Sequence, residues 1–361
     1  MLSWISFIMV LSVLVIVHEF GHFIIAKKMG IRVEKFSFGF GPEIFGFTKG
    51  DTHYSISIIP LGGYVKLAGE TPEDNLKGET WEYLSRSPGE RARVIIAGPV
   101  LNYLLAFFIF LFIFMMGFPR LNPIIGGLVP EYPAVEAGLQ PGDKILKIDG
   151  RNVMFWDDVT EIVHANKKPE IKVIVERRGK TMEFAIRPKI KEFKTIFGSK
   201  KTVGFIGITP GEEVVYVRYG ILKSIYMAGW KLFQLTYLTY RALWATITGA
   251  IPLKESLTGP IGMFYITEQA VRLGILYVLH LMAVISASLA IFNLLPVPVL
   301  DGGHILFLVI ERLRRRPIPH KVQESITQIG LAFIVCLMLF VFYNDFMRFE
   351  VFEKILSFWR R

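Results

Sequence analysis

Ser12-Val13-Leu14-Val15-Ile16-Val17-His18-Glu19-Phe20-Gly21-His22-Phe23-Ile24-Ile25-Ala26 is an apolar run that carries three ionisable residues. With the residues before it, the run extends from about Ser3 to Ala26, and about 20 apolar residues suffice for a helix to cross a bilayer. Its one acidic residue is Glu19, flanked by His18 and His22. On a helix, positions i and i+4 share a face, so both imidazoles can address one ion while Glu19 stands beside it. This is the H-E-x-x-H spacing. Zinc suits imidazole and carboxylate ligands, and a catalytic zinc keeps one position open for water. Ionisable groups in an apolar span are costly and by default functional. The competing reading is that the three residues lie at the inner membrane interface or pack among helices. The run lacks a basic leader and a small-residue cleavage site, so a retained span is expected rather than a signal peptide.

The rest of the chain extends this pattern. Its 361 residues are 52% hydrophobic, and the mean hydropathy is +0.44, too apolar for an ordinary soluble enzyme. Three further spans are expected, over 94–118, 275–300 and 326–347. Net charge is +10, but no nucleic-acid motif accompanies it, and no nucleic-acid partner is expected. Basic residues marking the cytoplasmic ends of spans account for the charge better. Lys27 and Lys28, Arg91 and Arg93, and the run Arg312, Arg314, Arg315, Arg316 are all cytoplasmic only if both termini lie outside. The single Cys336 leaves no disulfide and no cysteine zinc site, so any metal is held by His, Asp or Glu.

A third ligand must come from elsewhere, and Asp301 is the candidate. It ends the stretch Asn293-Leu-Leu-Pro-Val-Pro-Val-Leu-Asp301-Gly-Gly, where Pro296 and Pro298 cannot continue a regular helix. Unwound backbone at membrane depth is tolerated where it lines a cavity. His18 lies about 15 residues into its span, roughly 22 Å into a core about 30 Å thick. The third span enters from the same side and delivers Asp301 at its far end, so the depths agree. An ordinary helix-end aspartate is the alternative.

Four motifs now resemble one family. His18-Glu19-Phe20-Gly21-His22, Pro60-Leu-Gly-Gly-Tyr-Val-Lys66, Gly98-Pro99-Val-Leu-Asn102 and the 293–303 stretch together are similar to the site-2 protease family of intramembrane zinc metalloproteases. The resemblance spans nearly the whole chain. It implies Zn2+ held by His18, His22 and Asp301, with Glu19 as general acid/base. It also implies single-span membrane proteins as substrates, cut within their transmembrane segments in regulated intramembrane proteolysis, and a multi-pass protein of the bacterial inner membrane. The active site is then expected toward the cytoplasmic side.

The remaining motifs fit this frame. Residues 53–68 read as a β-hairpin turning at Gly62 and Gly63, with Tyr64 following. In the family such a hairpin dips into the membrane, where strand addition could hold an unwound substrate. Gly62, Gly63 and Tyr64 are therefore candidate substrate-binding residues. Asn102 and Asn293 are polar residues in spans. Each could bind the substrate backbone or a developing oxyanion, or bridge two helices. Gly98 with Pro99 suggests close helix packing or a kink.

The expected architecture is a polytopic α-helical membrane protein of about four spans, with a membrane-associated β-hairpin and one external α/β domain. Residues 1–118 form a first catalytic half. Residues 119–190, with Ala137-Gly-Leu-Gln-Pro-Gly-Asp143, resemble a bacterial PDZ domain, which implies a peptide ligand; a passive spacer is the alternative. Residues 191–274 are expected as linker and an amphipathic helix on the lipid bilayer, and 275–361 as a second catalytic half. Two other readings compete. A membrane-anchored zincin would cut loops outside the lipid, and a metal-binding scaffold would cut nothing.

Overall fold

The computed structural model describes residues 2–71, 76–166, 168–194, 200–252, 254 and 257–349. Among the described residues, four helices are long and apolar enough to cross a membrane: Ser3–Lys28, Pro88–Met116, Ile275–Asn293 and His320–Arg348. We label the helices α1 (Leu2–Lys28), α2 (Pro88–Met116), α3 (Pro133–Glu136), α4 (Trp156–Ala165) and α5 (Ile221–Ile247). They continue as α6 (Pro260–Leu273), α7 (Ile275–Asn293), α8 (Asp301–Arg314) and α9 (His320–Arg348). The chain divides into two compact units. The first comprises residues 1–112, 225–240 and 253–361, and the second comprises 113–224 and 241–252.

The second span begins six residues earlier than the apolar run suggests, because Pro88 suits a first helical turn and the Glu90 carboxylate accepts the Ser87 N–H and hydroxyl there. The third ends at Asn293, not 300. Beyond it the chain turns through Pro296 and Pro298 and starts α8 at Asp301. Side chains at Gly302 and Gly303 would collide with the carbonyls of Leu294, Leu295 and Val297, so this glycine pair lets the turn fold back onto α8.

The hairpin expected over 53–68 is corrected. Two long strands, β1 (Val33–Lys49) and β2 (Thr52–Leu67), pair antiparallel, and their turn lies at Gly50. The chain does reverse between Ile59 and Gly63, but the two arms of β2 do not pair with each other. Residues 35–38 of β1 sit between them, matching Lys66 to Gly63 on one edge and His53 to Ile56 on the other. Gly62, at φ +137, sits so close to the Phe40 ring that a side chain would overlap it. A glycine turn reads the same whether its arms pair or straddle a third segment, and the phenylalanine-rich 33–49 tract hid that segment.

In the second unit, β5 (Lys144–Ile148), β6 (Arg151–Asn152), β7 (Ile171–Arg177) and β8 (Lys180–Ile186) form one sheet in the order β6-β5-β7-β8. Strand β7 buries Ile171, Val173 and Val175 at period two, against Ile145, Ile148, Val159, Val163 and Ile186. The domain is larger than 119–190. Residues expected as linker supply β9 (Lys189–Lys194), β10 (Lys200–Phe205), β11 (Ile208–Pro210) and β12 (Val214–Val217). Strand β11 pairs with β4 (Ile125–Leu128), and β12 with β3 (Phe118–Leu121), so the chain leaving the sheet returns to where it entered.

Candidate metal centre

Helices α1 and α2 approach closely where Gly21 faces Ala97 and Gly98. A Cβ on Gly21 would meet the Ala97 carbonyl carbon at 2.7 Å and Gly98 Cα at 2.8 Å. This contact needs no side chain on either helix, and it brings both histidine rings onto one face of α2. Val94, Gly98 and Asn102 recur at four-residue spacing on that face. The His22 Nδ1 lies 2.9 Å from the Val94 carbonyl oxygen, which fixes a proton on Nδ1 and leaves Nε2 as the lone-pair donor. Proline at 99 leaves the helix continuous, because α2 runs unbroken from Pro88 to Met116.

The two Nε2 atoms are 3.2 Å apart. Asp301 Oδ2 lies 3.1 Å from His18 Nε2 and 3.7 Å from His22 Nε2. A tetrahedral zinc with ligands at about 2.0–2.2 Å requires donors roughly 3.3 Å apart, which this triangle meets. Asp301 Oδ2 is buried and accepts no hydrogen bond, which leaves its lone pairs free for a metal. His18, His22 and Asp301 form the one group of three such donors among the described residues. The donor set and its spacing therefore fit zinc.

Glu19 shares the cavity wall, and its carboxylate is hydrogen-bonded by the Val65 backbone. Residues Val65 and Leu67 also line this cavity, whose volume is about 660 Å³. Asn293 places its amide nitrogen 3.4 Å from His18 Nε2, on the side that faces Asp301. Asn102 differs: it is wholly buried, and its side chain meets His18 Nδ1 at 3.5 Å. Gly63 is buried under Ser37, and a Cβ there would lie 3.8 Å from Glu19 Cγ. Tyr64 stacks on Phe40.

Several cavity residues carry no motif. Arg91 Nη2 and Glu311 Oε1 pair at 2.5 Å, and Tyr83, Glu70 and His320 line the same space. His304, one turn beyond Asp301, also lines it but lies outside the donor triangle. His280 packs instead on Phe110, and His53 pairs with Glu43.

This geometry defines a class: a membrane-embedded two-histidine, one-carboxylate centre with a carboxylate beside it. The model of peptidase family M50 matches residues 6–337. A Campylobacter jejuni chain classed with the zinc metalloproteases is 36% identical over 96% of this chain and 94% of its own. The regulator of sigma-E protease RseP of Escherichia coli is 32% identical over 95% of this chain and 98% of its own. The zinc metalloprotease RasP of Geobacillus kaustophilus is 31% identical over 96% and 98%. Among solved structures, the PDZ domain of an SdrC-like protein from Listeria monocytogenes aligns at 22% identity with a TM-score of 0.20. That alignment covers 24% of this chain and 84% of that one. The chain belongs to peptidase family M50, the site-2 type of intramembrane zinc metalloprotease.

Proposed function

We propose that this chain hydrolyses peptide bonds within the transmembrane segments of single-span membrane proteins, with His18, His22 and Asp301 holding zinc and Glu19 as general acid/base. The observation that carries the assignment of roles is the convergence of those three donors within 4.8 Å of one another, two of them on a helix long and apolar enough to cross a membrane. Zinc, when bound, supplies a Lewis acid and brings the pKa of a bound water to about 7. The protein's part is positional. Glu19, one residue from His18, takes a proton from the attacking water and returns it to the leaving amine. The Asn293 amide N–H group donates a hydrogen bond toward the carbonyl under attack.

A helical substrate hides its scissile carbonyl and must be held extended. Residues 63–67, which carry Val65 above Glu19, are the strand to which an unwound substrate adds, with Gly63 keeping that strand close to the helix and Gly62 turning the chain against Phe40. Arg86 Nη2 donates to Met29 O at 2.8 Å, and Arg91 pairs with Glu311. Those contacts gather the Lys27–Lys28, Arg91–Arg93 and Arg312–Arg316 clusters at one end of the first unit. That arrangement supports a cytoplasmic location for that end and external termini. The second unit is read as a PDZ-like peptide-binding domain.

The test is co-expression of wild type and Glu19→Gln with candidate single-span proteins, mapping fragments by mass spectrometry. Wild type is expected to yield a cut inside the transmembrane segment, and the variant to bind zinc at one per chain without cutting. Cleavage that survives Glu19→Gln, or wild-type cuts confined to soluble loops, would overturn the proposal.

A further inference from the structure

We infer that Asn102 is a positioning residue for His18, accepting the Nδ1–H of that ring through its side-chain oxygen and thereby turning Nε2 toward the metal. The inference rests on the zinc reading above and adds to it a residue on α2 that never meets the substrate.

Asn102 has 0% exposure, which leaves no surface for a substrate contact. One atom of its side-chain amide lies 3.5 Å from His18 Nδ1. With the amide nitrogen toward the ring, the other atom, the oxygen, is buried and has no hydrogen-bond partner. An asparagine amide turned by half a rotation exchanges the two atoms. With the nitrogen toward the ring, an N–H of Asn102 faces Nδ1, so Nδ1 must be the acceptor and the proton moves to Nε2. A protonated Nε2 has no lone pair for a metal, and its hydrogen would face His22 Nε2 and Asp301. The turned orientation supplies an acceptor for Nδ1–H and leaves Nε2 free to ligate, with the amide nitrogen taking the other buried position.

The comparison with His22 supports this orientation. Its Nδ1 already meets an acceptor, the Val94 carbonyl at 2.9 Å, on the same face of α2. The antiparallel run of α1 and α2 thus matches each histidine with one acceptor, a backbone carbonyl for His22 and a side-chain oxygen for His18. The Asn102 side chain does not bridge to the third span; that link is made by Ser286 Oγ, which donates to the Asn102 backbone oxygen at 2.8 Å.

The experiment measures zinc retention of the detergent-solubilised full chain, competed against a chelator of known affinity, with metal-free melting recorded alongside. In Asn102→Leu, zinc affinity falls about 10- to 100-fold, as for loss of other partners of ligating histidines, while metal-free melting stays near wild type. In Asn102→Asp, a carboxylate accepts the same proton and affinity stays within a few-fold of wild type. A merely structural role would not be rescued by a buried charge. Should the leucine variant fail to fold, Asn102→Ala takes its place with the same expectation. Wild-type affinity in the leucine or alanine variant, or an aspartate variant as weak as leucine, overturns the inference. If wild type itself retains no zinc, the zinc reading fails together with it.

Discussion

Gly98 of α2 lies against the imidazole of His22: a Cβ on Gly98 would overlap that ring and come within 2.8 Å of His18 Cε1. The space for both ligands is therefore made by an absent side chain on the neighbouring helix. Gly98→Ala must displace at least one ring, and a ligand moved by a few tenths of an ångström weakens the centre. We expect zinc affinity to fall at least about 10-fold, comparable with loss of a partner around a ligand. Gly21→Ala instead presses on the Ala97 backbone and should cost about 1–3 kcal/mol of stability through overpacking. Chelator competition and thermal melting of both variants separate these effects. Equal zinc affinity in Gly98→Ala and wild type would contradict the geometry.

The buried pair Arg91–Glu311 joins the start of α2 to α8, which also carries Asp301. Its side chains are 11% and 15% exposed, so either partner left alone is a poorly solvated charge. Arg91→Ala or Glu311→Ala alone should cost about 3 kcal/mol or more, and the double change Arg91→Met with Glu311→Leu considerably less than the sum. Denaturant unfolding in detergent measures both. Strict additivity would mean that the pair is not coupled.

The site was more legible than the fold around it, and for physical reasons. His18, Glu19 and His22 stand out because helical spacing and an apolar background make three ionisable residues conspicuous. Asp301 followed from two prolines that a span cannot absorb. The Val94 carbonyl has no signature, because every residue carries one. Arg91 and Glu311 lie 220 residues apart, and nothing local links them. The 33–49 strand was missed because its alternation, Phe36, Phe38 and Phe40 and then Phe45 and Phe47, changes parity across Gly41-Pro42, and β9 and β10 because lysine-rich short strands read as linker.

Asp143 closes the Ala137–Asp143 turn that drew attention in the sequence. Its carboxylate receives Arg177 Nε at 2.6 Å, Arg177 Nη2 at 2.7 Å and the Gln140 N–H at 2.8 Å. Burial raises its pKa, but these donors outweigh burial and hold the carboxyl below the ordinary aspartate value. A folded-state pKa below the unfolded one contributes stability that is fully present above about pH 5, since an unfolded aspartate titrates near 4. That contribution is lost as pH falls through the lower folded value. Melting of the second unit in the full chain should therefore weaken below about pH 4. Asp143→Asn should melt lower at pH 7 and show a shallower acid dependence. An unchanged pH profile in Asp143→Asn would rule out this role.

Asp345, wholly buried on α9, accepts the N–H groups of Gly259 at 3.1 Å and Gly262 at 2.9 Å. It therefore caps α6 from a distant helix, which gives the Gly259-Pro260-Ile261-Gly262 sequence a structural reason: side chains at either glycine would crowd Asp345, Thr258 or Val341. The α6 N-cap is Gly259, which offers no side chain of its own, so the helix depends on this carboxylate for its first N–H groups. Asp345→Ala leaves two buried donors unpaired and should cost about 1–3 kcal/mol for each. Asp345→Asn keeps one acceptor and should fall between alanine and wild type. Hydrogen exchange at residues 259–264 reads the effect directly. Protection there should drop in the order wild type, asparagine, alanine, while the amides of α1 around His18 change little; a uniform loss across the chain would instead mark Asp345 as a general core residue.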